Sequence, residues 1–446
     1  MPLVRPFRGI DYALDRYGSD RIPDRIRLPE EPPEHPGRVA DISDLVSPPF
    51  DIISPEQRRA LLERDPRNAV RLELSAEPDP HAAAAATLDA WLADGTLERR
   101  LEPAVYYYGH ARREAPDDPS VAGVLARVLL EPFGVGVRAH EHTMAGPKAD
   151  RLGLLDATHT QLSPILAIYL DGSPRYRNLM SRGWTDEWRA RDTDGLLHSL
   201  AVVEPDDHLT GDPSRQQLFI ADGHHRYETA LAYQAQVRAD AQLHDAPRGA
   251  LAADWAMMVL VNAELERLEI QATHRLVRDV DGAALHGLIS DPGPFFQSTQ
   301  VAPDELSARL EALRDAEEPV FGVLLWDGTS SLLIGNADAT RDRMRREPLS
   351  SAVQRLDLSV LHTAVLGDRL ALGPGEAGKR ILYTTDPAEA LERVRSGEAQ
   401  AAFLVRPTRL DELAAVATAG DVMPEKATYF YPKLLTGMVF YPLEDD

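Results

Sequence analysis

Gln217-Leu218-Phe219-Ile220-Ala221-Asp222-Gly223-His224-His225-Arg226-Tyr227-Glu228-Thr229-Ala230-Leu231 is the stretch on which the reading turns. Its first four residues form a short apolar run, as a buried strand does. Ala221-Asp222-Gly223 then breaks the run, and Tyr227, Ala230, Leu231, Gln234 and Ala235 recur at helical spacing, so the pattern predicts a helix from near His225. Gly223 permits a tight turn and the close approach of a ligand. The helix start offers unpaired amide hydrogens and the positive end of its dipole. Arg226 adds a planar fork suited to phosphate oxygens, and His224 and His225 add imidazoles that titrate near neutrality. The same residues also suit a plainer arrangement, in which Asp222 caps the helix and the histidines are solvated.

Upstream lies a second polar cluster: Arg138, His140, Glu141, His142, Thr143, Lys148, Asp150 and Arg151. Glu141 has the chemistry of a general base, and Lys148 and Arg151 could offset phosphate charge. A solvated loop leading into a helix is the alternative. A zinc reading would use His140, His142, His224 and His225, but His-Glu-His is not the His-Glu-x-x-His pattern that puts two imidazoles on one helix face. Asn68, Arg71 and Glu73 read as part of a strand, where Arg71 and Glu73 would share a face, as candidate ligands or as an ion pair. His274-Arg275 follows an apolar segment, with a structural role the plainer reading. Lys426 and Lys433 flank Thr428-Tyr429-Phe430-Tyr431-Pro432, an aromatic segment that could hold a lysine in a pocket or simply pack.

Further out, Ser54-Pro55-Glu56 has the form of a helix start, and Pro80 to Asp94 reads as an Ala-rich helix. Strands are expected at Ala104 to Tyr108, Val121 to Leu130, Leu162 to Tyr169 and Trp255 to Val261, and the stretch from about 281 to 446 reads as mixed helices and strands at Asp304 to Ala316, Val320 to Trp326, Ser331 to Ile334 and Asp386 to Ser396. Residues 1–40, rich in Pro, Arg, Asp and Glu, read as an extended arm. At 446 residues the chain exceeds one ordinary core. Boundaries near 130 and 280 divide it into an N-terminal α+β region (1–130), a phosphate-binding core (131–280) and a C-terminal α+β domain (281–446).

Composition narrows the function. No cysteine is present, which removes disulfides, thiolate metal sites and cysteine nucleophiles and fits a cytoplasmic protein. A net charge of −23 argues against nucleic-acid binding, since a phosphate backbone seeks a basic face. No run approaches the roughly 20 apolar residues of a membrane span, and Met1-Pro2-Leu3-Val4-Arg5-Pro6 does not open a signal peptide.

Taken in order, His140-Glu141, Asp150-Arg151-Leu152, Ser163-Pro164-Ile165 and Ile220 to Tyr227 resemble the ParB/sulfiredoxin-like superfamily, in which a Pro-hydrophobic strand precedes a strand ending in Asp-Gly-x-His-Arg. Within it they are similar to the free L-serine kinases. Over nearly its whole length the chain resembles the family catalogued as domain of unknown function 1015. The hallmarks are Arg5-Pro6-Phe7-Arg8-Gly9, Pro48-Pro49-Phe50-Asp51, the Asp222 to Tyr227 motif and Pro424 to Lys433. Two departures stand out: a longer insertion between Ile165 and Phe219 than compact kinases carry, and Lys426-Ala427-Thr428 where Lys-Ser-Thr is expected. The resemblance implies an α+β fold with a ParB/sulfiredoxin-like mixed α/β core. The missing cysteine closes the sulfiredoxin branch, and the acidic balance speaks against a DNA clamp.

The resemblance to the serine kinases implies a kinase moving phosphate from ATP, ADP or pyrophosphate, with Mg2+, to the hydroxyl of a small amino acid, serine first. In that reading Glu141 is the base, and Asp222 orients the acceptor or holds the metal. Gly223, His224, His225 and Arg226 cradle phosphate, helped by Lys148 and Arg151. His140, Thr143, Asn68, Arg71, Lys426 and Lys433 are the candidates for substrate contact. A non-catalytic nucleotide-binding regulator and a metal-dependent hydrolase are the alternatives.

Overall fold

The computed structural model describes residues 3–17, 38–111, 119–141, 145–170, 184–203, 217–240, 243–266, 268–373, 375–376 and 378–444. The chain forms two compact units. The first comprises Met1–Arg138, Thr143–Leu268 and Pro432–Asp446, and the second Ala139–His142 and Glu269–Tyr431.

The first unit is built on a ten-stranded mixed sheet. Its order is Arg38–Asp41, Asp186–Arg191, Leu197–Val203, Val105–Ala111, Pro119–Leu129, Trp255–Asn262, Ile165–Tyr169, Leu218–Asp222 and Val137–Arg138, with Val4–Arg5 also paired to Pro119–Leu129. Arg38–Asp41, Ile165–Tyr169 and Val137–Arg138 run parallel to Asp186–Arg191, Trp255–Asn262 and Leu218–Asp222 respectively; the other neighbours are antiparallel. Every residue of Trp255–Asn262 and Ile165–Tyr169 is buried, which is why both read as unbroken apolar runs and not as alternation. Helix Ala145–Thr158 packs between Pro80–Ala93 and His224–Arg238. Helix Pro55–Arg64 opens on a capping box: Ser54 Oγ accepts from the Gln57 amide at 3.2 Å, and Gln57 Oε1 accepts from the Ser54 amide at 2.8 Å.

Three expectations need correction. No boundary falls near 130, because strands on either side of it are hydrogen-bonded neighbours in one sheet. The first residues are not simply an arm: Val4–Arg5 and Ile10–Tyr12 are strands, and Phe7 is buried. Glu30 to Pro36 lie outside the described residues. Residues 68–73 form no strand, for Val70–Glu73 is a helical turn. Asp65 Oδ1 accepts from the Arg67 amide at 2.6 Å, and Asn68 Oδ1 from the Val70 amide at 3.0 Å, so side-chain bonds close successive turns that an extended chain would forgo.

The second unit holds a six-stranded antiparallel sheet ordered Phe296–Gln300, Ser330–Gly335, Val320–Leu325, Ala401–Val405, His274–Val277 and Ile381–Thr384. Leu276, Leu310, Leu324, Leu391, Val394 and Leu404 join sheet and helices in one apolar core. Tyr429–Tyr431 pairs with Glu269–Gln271. The fold is thus mixed α+β. Among the described residues no helix is long and apolar enough to cross a membrane.

Candidate functional site

The turn after Leu218–Asp222 is built as the sequence suggests. Opposite Ile165–Tyr169 the register slips between Ile220 and Asp222, a bulge that re-aims the strand's last side chain. Gly223 follows in the left-handed region, at φ +93°, and caps helix His224–Arg238. A Cβ on Gly223 would stand 2.9 Å from Arg226 Nε, so glycine is required both by conformation and by space. His224 is buried in the first helical turn and His225 is half-buried.

Asp222 lies between two cations. Its Oδ1 accepts from Lys433 Nζ and its Oδ2 from Arg226 Nη2, while Arg226 Nη1 donates to the Pro164 carbonyl. All three charged side chains are nearly buried, 11–12% exposed. Burial would raise the Asp222 carboxyl, but the Lys433 ammonium and the Arg226 guanidinium outweigh it and hold the group well below the usual carboxylate range. The Asp222 carboxylate thus gathers two cations at a helix start, where the dipole adds positive potential.

Beside the turn is a cavity of about 60 Å³ walled in part by Phe50, Glu73, Arg151, Ser163, Arg226 and Thr229. Arg151 is buried. It bonds to Glu73 Oε2 at 2.9 Å and Asp150 Oδ2 at 2.5 Å, and its guanidinium lies 4.3 Å from the centre of the Phe50 ring. Lys148 Nζ meets Glu228 Oε2 at 2.6 Å. Pro-Pro-Phe-Asp, Asp-Arg-Leu, Ser-Pro-Ile and Asp-Gly-His-His-Arg, scattered in sequence, therefore converge in the first unit. Asn68 and Arg71 are tied to backbone instead: Asn68 Nδ2 donates to Asp44 O at 2.7 Å and Val46 O at 2.9 Å, and Arg71 Nη2 to Leu62 O at 2.8 Å.

His140, Glu141 and Lys426 belong to the second unit. The Met423 amide donates to His140 O at 2.8 Å, His140 Nε2 bonds Thr428 Oγ1 at 2.8 Å, and the Lys426 amide donates to Glu141 Oε1 at 3.4 Å. It is the main chain of Lys426, held at φ +53°, that reaches Glu141. Thr143 and His142 lie outside the described residues. Among the described residues no three His, Asp or Glu side chains are grouped to hold a metal ion.

Sequence reasoning passed over Phe50 as a wall of the cavity and took Lys433 for a substrate ligand without seeing its carboxylate. A signal existed. Of 48 basic residues only four are lysines (Lys148, Lys379, Lys426 and Lys433), and two of those pair with Glu228 and Asp222 around the turn.

A mixed α+β protein with a strand that ends in a doubly paired carboxylate, a left-handed glycine and a cation-rich helix start is of a kind suited to receive anions. The chain belongs to the family described as protein of unknown function (DUF1015), which matches residues 31–359. No curated protein matches it. Similar solved structures include a free serine kinase in complex with AMP, at 12% identity over 68% of this chain and 89% of that one, with a TM-score of 0.33. SbnI with a C-terminal truncation, from Staphylococcus aureus, is 12% identical over 72% and 90%, with a TM-score of 0.36.

Proposed function

We propose that the protein is a small-molecule phosphotransferase with a ParB/sulfiredoxin-like core, acting in the cytoplasm on the hydroxyl of a small amino acid, serine first. The observation that carries this reading is the Asp222 turn, which gathers the Lys433 and Arg226 cations at the start of a helix. Phosphoryl transfer asks mainly for positioning and charge neutralisation, and such a turn supplies both. In the reaction Glu141 takes the proton of the acceptor hydroxyl. The hydroxyl oxygen bonds to the terminal phosphorus of ATP, ADP or pyrophosphate as the bridging P–O bond breaks, releasing ADP, AMP or phosphate. Gly223, His224, His225 and Arg226 hold the donor. Lys148, paired with Glu228, and Arg151, in the cavity wall, assist in offsetting phosphate charge.

Asp222 has a different part from the one its acidity suggests. Each of its oxygens already accepts from a cation, so a magnesium ion there would face the charges of Lys433 and Arg226. A magnesium ion would instead be held mainly by the donor phosphates and waters, where it would supply charge neutralisation. Asp222 is the anchor that presents the two cations.

Phosphorus NMR tests the proposal, on the protein incubated with ATP, ADP or pyrophosphate, magnesium and L-serine. A phosphomonoester resonance should grow, and Glu141→Gln should nearly abolish it while nucleotide still binds. Saturable nucleotide binding without any phosphorylated product would mean a regulator. Wild-type turnover by Glu141→Gln would remove the base assignment.

A further inference from the structure

In the second unit an arginine is buried with no carboxylate of the described residues within bonding distance. Arg275 lies in strand His274–Val277, between Ala401–Val405 and Ile381–Thr384, and is 0% exposed. Its neighbour Leu276 faces the apolar core, so the pleat sends Arg275 to the opposite face. Among the described residues it makes no ion pair within bonding distance. Its guanidinium is solvated by main chain instead: Nη1 donates to Thr273 O, and Nη2 to Glu425 O at 2.8 Å and Lys426 O at 3.0 Å. The Tyr383 ring, its cross-strand partner, lies 5.5 Å away. A buried cation is costly unless its surroundings do something with it.

What those surroundings do is fix one turn. Glu425 and Lys426 are the residues whose carbonyls Arg275 grips, and the Lys426 amide is the one that donates to Glu141 Oε1. Lys426 sits at φ +53°, a conformation that a residue with a side chain holds only when neighbours over-determine it. Thr408 Oγ1 adds a bond to the Ala427 carbonyl at 2.7 Å, and Thr428 Oγ1 closes the turn on His140. Burial lowers Arg275 to about 10, opposed by the charges of Tyr383 and Glu141, so the guanidinium stays charged at neutral pH and feels the Glu141 carboxylate.

We propose that Arg275 is a positioning residue for Glu141, acting through the Glu425–Thr428 turn that it holds in its left-handed form. The absent hydroxyl at Ala427 fits this assignment, because the turn works through main-chain groups and needs no side chain there. The structural inference is independent of the chemistry; only its kinetic consequence rests on Glu141 being the base of a phosphotransferase.

The four lysines make the test direct. With 15N-lysine as the only label, the protein shows four backbone amide resonances, each assigned by a Lys→Arg variant. In the wild type, Glu141→Gln should move the Lys426 resonance and leave the others in place. In Arg275→Lys, which keeps a cation but is shorter and lacks the planar fork that ties the Thr273 carbonyl to those of Glu425 and Lys426, the Lys426 resonance should shift and cease to respond to Glu141→Gln. The kinetic arm should show kcat down by on the order of a hundredfold, with KM for the phosphate donor little changed. A Lys426 resonance in Arg275→Lys that keeps its position and its response to Glu141→Gln overturns the proposal. Should Arg275→Lys scatter all four resonances by unfolding, Thr408→Val loosens the same turn without touching the buried charge. It must then uncouple Lys426 from Glu141, and an unchanged coupling is again fatal. Coupling present in a wild type that makes no phosphorylated product would sink the kinase reading and leave the positioning role standing.

Discussion

Asp222 shows what one side chain can hold together. With Asn in its place, the Lys433 ammonium and Arg226 guanidinium would lose their carboxylate while remaining nearly buried. Breaking a buried pair on one side costs about 3–5 kcal/mol, so Asp222→Asn should lower the unfolding free energy by that order at pH 7. The pH dependence has a definite sign. A carboxyl depressed in the folded state adds stability that is complete above its unfolded value, roughly pH 4, and is lost as pH falls through the folded one. Urea titrations of wild type and Asp222→Asn should therefore differ by a constant amount from pH 7 to about 5 and converge only in strong acid. A difference that fades already between pH 7 and 5 would point to some other group. At this scale the turn itself was legible, because Asp-Gly followed by helical spacing has few other solutions. Its lysine was not, since Lys433 lies 211 residues from Asp222 in sequence and only the fold joins them.

Among elements, apolar strands were legible and charged ones were hidden. Val105–Ala111, Pro119–Leu129 and Trp255–Asn262 declare themselves by aromatic and branched side chains. Asp186–Arg191 does not: Asp-Glu-Trp-Arg-Ala-Arg looks like a surface loop, yet it is a sheet strand. Its Glu187 and Arg189 are both buried, pair at 2.8 Å on one face, and are joined by Ser199 Oγ at 2.5 Å, so the charge that disguises the strand is neutralised within the sheet. The helical turn Val70–Glu73 was misread for a related reason. Arg71 and Glu73 suggest alternation, but Glu73 serves Arg151 of helix Ala145–Thr158, and that contact fastens the two helical segments together. A double-mutant cycle measures this fastening. Arg151→Met leaves Glu73 buried and unpaired, which should cost about 3–5 kcal/mol. Adding Glu73→Gln removes the stranded charge, and the pair should be milder than the sum of the single effects by roughly 1–3 kcal/mol. Strict additivity in urea unfolding would show that the pair anchors nothing.

Across the whole molecule, the chain forms two units: the first contains the Asp222 turn, and the second contains Glu141 and the turn whose Lys426 amide bonds to it. The units can be followed separately, because Trp91, Trp184, Trp188 and Trp255 belong to the first and Trp326 alone to the second. They should also differ in their response to acid. In the second unit burial lowers His274 to about 4, with the Arg275 charge adding to the effect, and lowers His362 to about 3 by the same two causes. His274 Nδ1 accepts from the Val405 amide at 3.2 Å, a bond that only the neutral ring can make. For a histidine held neutral by the fold, the unfolded chain takes the proton first. Its stabilising contribution is complete above about pH 6.5 and drains away as pH falls toward the folded values. Each such histidine should cost the second unit about 2 kcal/mol between pH 6.5 and 5, at roughly 1.4 kcal/mol per pH unit. Asp357, also of the second unit, opposes them: burial raises its carboxyl to about 6, so the folded unit gains stability as that group protonates. Urea midpoints read from Trp326 should therefore drop by a net amount worth about 2 kcal/mol over that interval, and His362→Gln should remove most of the drop, because it takes away one of the two proton acceptors. A Trp326 midpoint that rises from pH 6.5 to 5 would show that both imidazoles are charged in the folded unit, which the bond from Val405 to His274 forbids.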